Sequence, residues 1–194
     1  TKKENNIPKI LVVNKISNQA SLINERKGYE RIIKKLNDFE KSAANSLNNN
    51  SLLGIEGNAS KIFFKEYFKD IGWYKRTPRT RQDITNFLMD IGYTIVFNFI
   101  DALLNLHGFD AYKGIYHKLF FQRKSLSCDI VEPFRCIIDG QILKSFHLKQ
   151  INEKDFKLEN GKYELNYVNS QKYATIFMEA IMERKEDIYL FVQG

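Results

Sequence analysis

Along most of the chain the apolar residues recur at spacings of three and four, the repeat that gathers them on one side of a helix. Between about Ile10 and Leu47, residues Leu11, Leu22, Ile32, Ile33, Leu36, Phe39 and Ala43 predict one or two helices with many cations outside, and Gly28 marks where they divide. The Asn-rich run that follows breaks the pattern. Asn48 to Asn50 reads as a loop and Ser51 as the cap of a second helical region, with Ile55, Ala59, Ile62, Phe63 and Tyr67 facing inward. Asp83 is placed to cap a helix from about Ile84 to Leu106 that is apolar almost all round, as befits an element covered by neighbours on several sides, and Gly108 is placed to end it. A further helix is expected from about Ser125 to Phe146, with Pro133 as a kink or first-turn residue because it lacks a backbone donor. Asn160-Gly161 supplies the positive φ values of a type I′ turn between Phe156-Lys157-Leu158 and Tyr163-Glu164-Leu165. A last helix from near Ser170 carries Tyr173, Phe177, Ile181 and Ile188. The fold class expected is therefore mainly α with one small β-hairpin, as a single helical domain over residues 1–194.

Composition agrees with a folded chain: 43% of the 194 residues are hydrophobic and 13% aromatic, too much apolar surface for a disordered segment. The formal net charge of +7 favours anionic partners, nucleic acid first and an acidic membrane surface second. The apolar run Tyr93 to Leu106 is interrupted by Asn98 and Asp101 and falls short of a hydrocarbon core of about 30 Å, so no transmembrane helix is expected. No apolar leader follows basic residues at the start, which points to the cytoplasm, and Thr1 in place of Met suggests a piece of something longer. On one helix Cys128 and Cys136 would stand about 12 Å apart, beyond disulfide reach.

Phosphate-binding, dinucleotide-binding and hydrolase-elbow glycine motifs are absent, as is C-x-x-C zinc spacing. What remains is a possible oxygen and nitrogen cluster of Glu56, His117, Asp129 and Glu132. Asp129 and Glu132, three apart, share a helix face on which they can bind one metal or orient each other, and Arg135 follows within reach. Two carboxylates and an imidazole suit manganese or magnesium better than structural zinc, and such a site polarises phosphate oxygens. Spacing alone equally accommodates solvated carboxylates, a Glu132–Arg135 pair and a packed histidine. Four cations in Lys75 to Arg81, namely Lys75, Arg76, Arg79 and Arg81, with Lys118, Arg123 and Lys124 downstream, form a candidate phosphate track that Arg135 extends toward the carboxylates.

Taken in order, the segments Leu53-Gly54-Ile55-Glu56-Gly57, Asp83 and Asn86 leading to Gly92-Tyr93-Thr94, Gly114 to His117, and Ser125 to Arg135 with its Asp-x-x-Glu-x-Phe-Arg pattern, resemble the C-terminal helical domain of the CRISPR-associated adaptation integrase family. The resemblance runs from about Leu53 to Asp139. It implies that Glu56, His117 and Glu132 are metal ligands and that Asp129 supports the site or approaches the metal through water. The family's N-terminal β-rich domain has no counterpart before Ile10, which leaves the mode of self-association open. The implied activity is integration of spacer DNA: a DNA 3′-hydroxyl attacks a phosphodiester of the CRISPR repeat, a transesterification that needs no ATP. The implied partners are the spacer precursor and the repeat, further copies of the chain, and the family's small adaptation partner protein, with no membrane. Two other readings stay open, a non-catalytic helical DNA-binding protein and a metal-dependent nuclease of branched DNA.

Overall fold

The computed structural model describes residues 6–73, 75–116 and 121–193. Two antiparallel-packed N-terminal helices, α1 (Ile7–Asn24) and α2 (Glu30–Ala44), are separated where expected, with Gly28 at φ +87°, a conformation that favours glycine. The third helix, α3 (Asn49–Tyr67), starts earlier than the sequence suggested: Asn48, not Ser51, is the cap, its side chain accepting from the Ser51 N–H at 2.9 Å. Asn49 and Asn50 lie inside the first turn, where their weak helix propensity is offset by that cap. Helix α3 buries Leu52, Ala59, Phe63 and Tyr67, whereas Ile55 and Ile62 are only half-buried.

Helix α4 (Ile84–Leu106) has the expected bounds. Asp83 caps it, accepting from the Asn86 N–H at 2.7 Å, and Gly108 at φ +75° lets the chain turn back so that the Phe109 N–H reaches the Leu104 carbonyl at 3.0 Å. This helix alone, among the described residues, is long and apolar enough to cross a membrane, because it extends the apolar run Tyr93 to Leu106 back to Ile84. In the fold its Leu88, Met89, Val96 and Ile100 are completely buried, and it packs against four later helices. The first of these are α5 (Ser125–Val131) and α6 (Arg135–His147), joined by a single 3-10 turn, Glu132–Phe134, that carries Pro133. The missing proline donor thus falls in a first turn, where it costs no helical hydrogen bond. Strands β1 (Phe156–Glu159) and β2 (Lys162–Leu165) pair antiparallel with Glu159 opposite Lys162, and Asn160 and Gly161 both have positive φ. The final helical stretch is two elements, α7 (Tyr167–Glu183) and α8 (Lys185–Gln193), broken at Arg184, and it begins at an Asn166 cap rather than near Ser170. Tyr173, Phe177, Ile181 and Ile188 are buried as expected, because the break leaves the apolar spacing nearly in phase.

One core runs through all of these elements. Between α3 and the loop before α4 it is aromatic, with Phe63 stacked on Tyr67 at 4.9 Å and Trp73 meeting Phe68 edge-on at 5.0 Å. Between α4 and α6 it is tight, Gly92 facing the side chain of Ile138. Cys128 and Cys136 are both free thiols.

Candidate metal centre and phosphate track

Three elements distant in sequence meet at one pair of carboxylates. Glu56 comes from the middle of α3 and Glu132 from the 3-10 turn between α5 and α6, each only 13% exposed. Between them lies the ammonium of Lys15 from α1, 2.5 Å from Glu56 Oε1 and 2.7 Å from Glu132 Oε2. Helix α1 is held there by Asn18, whose side-chain amide donates to the Pro133 carbonyl at 2.9 Å. Each carboxylate has a second donor on its far oxygen: the Tyr116 hydroxyl at 2.7 Å from Glu56 Oε2, and the Arg135 guanidinium at 2.9 Å from Glu132 Oε1. Burial works to lower the Lys15 pKa, but the charges of Glu132 and Glu56 outweigh it and hold the ammonium above its ordinary value. The Tyr116 phenol is raised by its burial and by donating to Glu56, so it remains a donor at neutral pH.

Asp129, three residues before Glu132, holds backbone with one of its oxygens. It is completely buried, and its Oδ2 accepts from the backbone N–H groups of Ile115 at 2.6 Å and Tyr116 at 2.9 Å. Its carboxylate therefore anchors the loop that delivers Tyr116 to Glu56 and leads into position 117. His117 and Lys118 lie outside the described residues. Among the described residues no group of three or more His, Cys, Asp or Glu side chains converges as a metal cage. The two carboxylates nevertheless fit a hard cation: both already direct an oxygen at one positive charge, and a carboxylate pair suits manganese or magnesium.

The cations proposed for the phosphate track divide into two groups. Arg79, Arg81 and Arg123 are exposed. Arg76 is not available: its guanidinium is turned inward, donating to Asn86 Oδ1 at 2.9 Å and pairing with Asp90 at 2.5 Å, so it braces the basic loop against α4. Arg135 is likewise committed to Glu132 and stacks over the Tyr93 ring at 4.6 Å. Lys124 is partly exposed but pairs with Asp101 at 2.7 Å. Spacing could not separate these groups, because an arginine in a polar loop and an arginine folded back on a carboxylate have the same sequence. The loop itself is locked. The Asn86 Oδ1 also accepts from the Thr77 N–H at 2.8 Å, Asp90 from the Arg79 N–H at 2.9 Å, and the Arg81 carbonyl accepts from Tyr163 of the hairpin at 2.8 Å. Arg79 and Arg81 both have positive φ, a strained state that these contacts sustain.

A cavity of about 130 Å³ opens beside Glu132, lined among others by Lys15, Gln19, Ser60, Arg76 and Arg135. Two of its polar atoms, Gln19 Oε1 and Ser60 Oγ, are buried without a hydrogen-bond partner among the described residues, as is the Nε of Arg135. Within its lining Tyr93 donates to Asp139 at 2.5 Å, and burial pushes the Asp139 carboxyl up from 3.8 to about 7. Between those two values the folded chain holds more protons at this site than the unfolded one, so the site's contribution to stability falls as pH rises and is at its worst above about 7. Asp139→Asn keeps the acceptor for Tyr93 without the charge. The difference in unfolding free energy between this variant and the parent, measured by urea titration, is therefore expected to widen in the variant's favour from pH 4 to 7, by an amount on the order of a few kcal/mol. A gap that stays flat across that range would show that Asp139 does not titrate there.

The fold and the carboxylate pair define a helical domain in which two carboxylates share one lysine ammonium, with part of the basic loop lining the same cavity. The chain belongs to the family described as CRISPR associated protein Cas1, whose sequence profile matches residues 1–179. It is 30% identical over 141 residues to the CRISPR-associated endonuclease Cas1 1 of Thermodesulfovibrio yellowstonii, an alignment covering 70% of this chain and 44% of that protein. A partial Cas6-RT-Cas1–Cas2 complex contains a chain with the same fold at a TM-score of 0.90 and 25% identity, covering 98% of this chain and 63% of that one. A casposase bound to its integration product matches at a TM-score of 0.81 over 93% of this chain and 53% of that one, and at 18% identity this likeness is one of fold. The chain spans about half the length of the curated relatives it matches.

Proposed function

We propose that this chain carries the catalytic centre of a divalent-metal-dependent DNA integrase and endonuclease of CRISPR adaptation. The observation that carries the reading is the convergence of Glu56 and Glu132 on one positive charge in a member of the Cas1 family. Glu56, Glu132 and His117 would hold a manganese or magnesium ion, which when bound supplies Lewis-acid stabilisation of charge developing on the scissile phosphate. The protein's own residues do the remainder. Tyr116 and Arg135 fix the rotamers of Glu56 and Glu132 through their far oxygens, and Asp129 holds the loop that carries Tyr116. In the reaction a DNA 3′-hydroxyl gives up its proton as its oxygen bonds to a repeat phosphorus, and the 3′-oxygen of the neighbouring nucleotide departs and takes up a proton. One phosphodiester replaces another. The substrates of this reading are the spacer precursor and the repeat, and its protein partners are further copies of the chain and the small adaptation protein. Support for them comes from the complex and the DNA-bound casposase that share the fold.

The test is strand transfer into supercoiled DNA carrying a CRISPR repeat, with a labelled 3′-hydroxyl duplex and manganese, comparing the parent with Glu56→Ala and His117→Ala. Joined product that both variants lose is the expected result. Cleavage without joining would favour the second reading, a nuclease, for which the word endonuclease in the relative's name speaks. DNA binding that neither needs metal nor yields product would overturn both.

The exposed arginines supply a separate expectation. Replacing Arg79, Arg81 and Arg123 together by alanine is expected to lower the slope of log affinity against log salt by about one for each lost phosphate contact, whatever the sequence. Arg76→Ala should leave that slope unchanged and instead lower the melting temperature, because its charge is spent on Asn86 and Asp90. Filter-binding titrations at several salt concentrations distinguish the two, and a slope unmoved by the triple substitution would remove these arginines from the track.

A further inference from the structure

The cation that Glu56 and Glu132 share is a side chain of this same protein, from the helix that precedes both of them. Two carboxylates buried this close would repel one another strongly if nothing neutral or positive stood between them, and a metal arriving from solution must take the place that the ammonium holds. The surroundings supply somewhere for that ammonium to go. Gln19 is one turn further along α1, on the same helix face as Lys15, and both line the cavity next to Glu132. Gln19 is 3% exposed, and its side-chain carbonyl oxygen, like the Ser60 hydroxyl of α3 that lines the same cavity, has no partner among the described residues. A buried acceptor without a donor is costly unless something reaches it in another state of the molecule. A lysine has three donors on a flexible four-carbon stem, which suits it to both positions.

Resting on the metal-centre reading above, we propose that Lys15 is a resident counter-ion of the carboxylate pair that divalent metal displaces, its ammonium moving, still charged, to Gln19 Oε1 and Ser60 Oγ. Lys15 in this role positions Glu56 and Glu132 before metal arrives and sets how much metal is needed. The site stays preformed and nearly neutral when empty of metal, and loading it is a competition between two cations for the same oxygens. The price is affinity. Because the displaced charge stays within the same cavity, it also repels the incoming ion to a degree that Gln19 moderates.

The experiment is calorimetric titration of the full chain with manganese chloride, paired with thermal melts with and without manganese, for the parent, Lys15→Met, Gln19→Leu, the double variant and Glu56→Gln. Lys15→Met is expected to bind manganese at least tenfold more tightly than the parent, to melt lower without metal, and to regain more on adding it. Gln19→Leu is expected to weaken binding several-fold in the parent background and to have no effect once Lys15 is methionine. Equal or weaker manganese binding by Lys15→Met, with the parent binding and Glu56→Gln not, would overturn the counter-ion role while leaving the metal centre in place. An unaltered affinity in Gln19→Leu would overturn the resting position. No manganese uptake by any of the folded variants would overturn the metal reading itself, and this inference with it.

Discussion

Glu56→Gln is expected to lower strand joining by about 10²–10³-fold while leaving the fold and salt-dependent DNA binding in place. Glutamine keeps the volume and one acceptor oxygen, so Tyr116 still has a partner, but it removes the charge that makes the pair a cation site. Lys15 then keeps only Glu132, which still pairs with Arg135. The loss should appear in the rate of the joining step and not in affinity for duplex DNA, because the substitution leaves the exposed arginines Arg79, Arg81 and Arg123 unchanged. Rates at saturating DNA, measured over a range of manganese concentrations, provide the check. A variant that recovers the parent's rate at high manganese would show that Glu56 contributes affinity for metal only. A variant at the parent's rate throughout would remove Glu56 from the centre.

The second large effect lies in the core. A methyl group at position 92 would stand 2.3 Å from Cγ2 of Ile138 and 3.3 Å from its Cβ. That carbon is not the end of a flexible chain. It branches directly from Cβ on a helix, where β-branched residues hold essentially one χ1 rotamer, and Ile138 is completely buried. Helix α6 must therefore move away from α4, and the turn with Glu132 is attached to its start. Gly92→Ala is expected to destabilise by about 2–3 kcal/mol, overpacking outweighing the gain of up to about 1 kcal/mol from replacing a helical glycine. Urea titrations should show a lower midpoint at unchanged slope. Adding Ile138→Leu, which moves the branch one carbon outward, should recover part of the loss. If Gly92→Ala is as stable as the parent, the close approach of α4 and α6 does not constrain this position. Strand joining is expected to suffer as well, since displacement of α6 carries Glu132 away from Glu56.

Much of the local structure was legible in the chain, for reasons confined to a few neighbouring residues. The Asn160-Gly161 turn and the Asp83 cap depend on φ preferences and a side chain reaching three residues ahead, so the hairpin register and the start of α4 could be read directly. The start of α3 is not legible for a related reason: several Asn and Ser residues in a row can each cap, and only the backbone at Asn48 selects one. The break at Arg184 leaves no mark in the sequence because the apolar spacing barely changes across it. The family pattern, too, was visible in the order of its segments, with Glu56 and Glu132 among the residues it singled out.

What the sequence by itself determined about this protein is therefore its helical character, its hairpin, its family and a short set of acidic residues worth testing. Only the tertiary structure decided which of them meet, because convergence is set by how α1, α3 and the turn at Pro133 pack, and no local pattern encodes that. It turned Glu56 and Glu132 toward one point and gave Asp129 to the backbone of the Ile115–Tyr116 loop. It folded Arg76 inward and left Arg79 outward, although both belong to one short basic run. And it brought in Lys15, which looked like one more surface cation on an amphipathic helix, since a lysine's sequence neighbours say nothing about a carboxylate pair contributed from elsewhere in the chain.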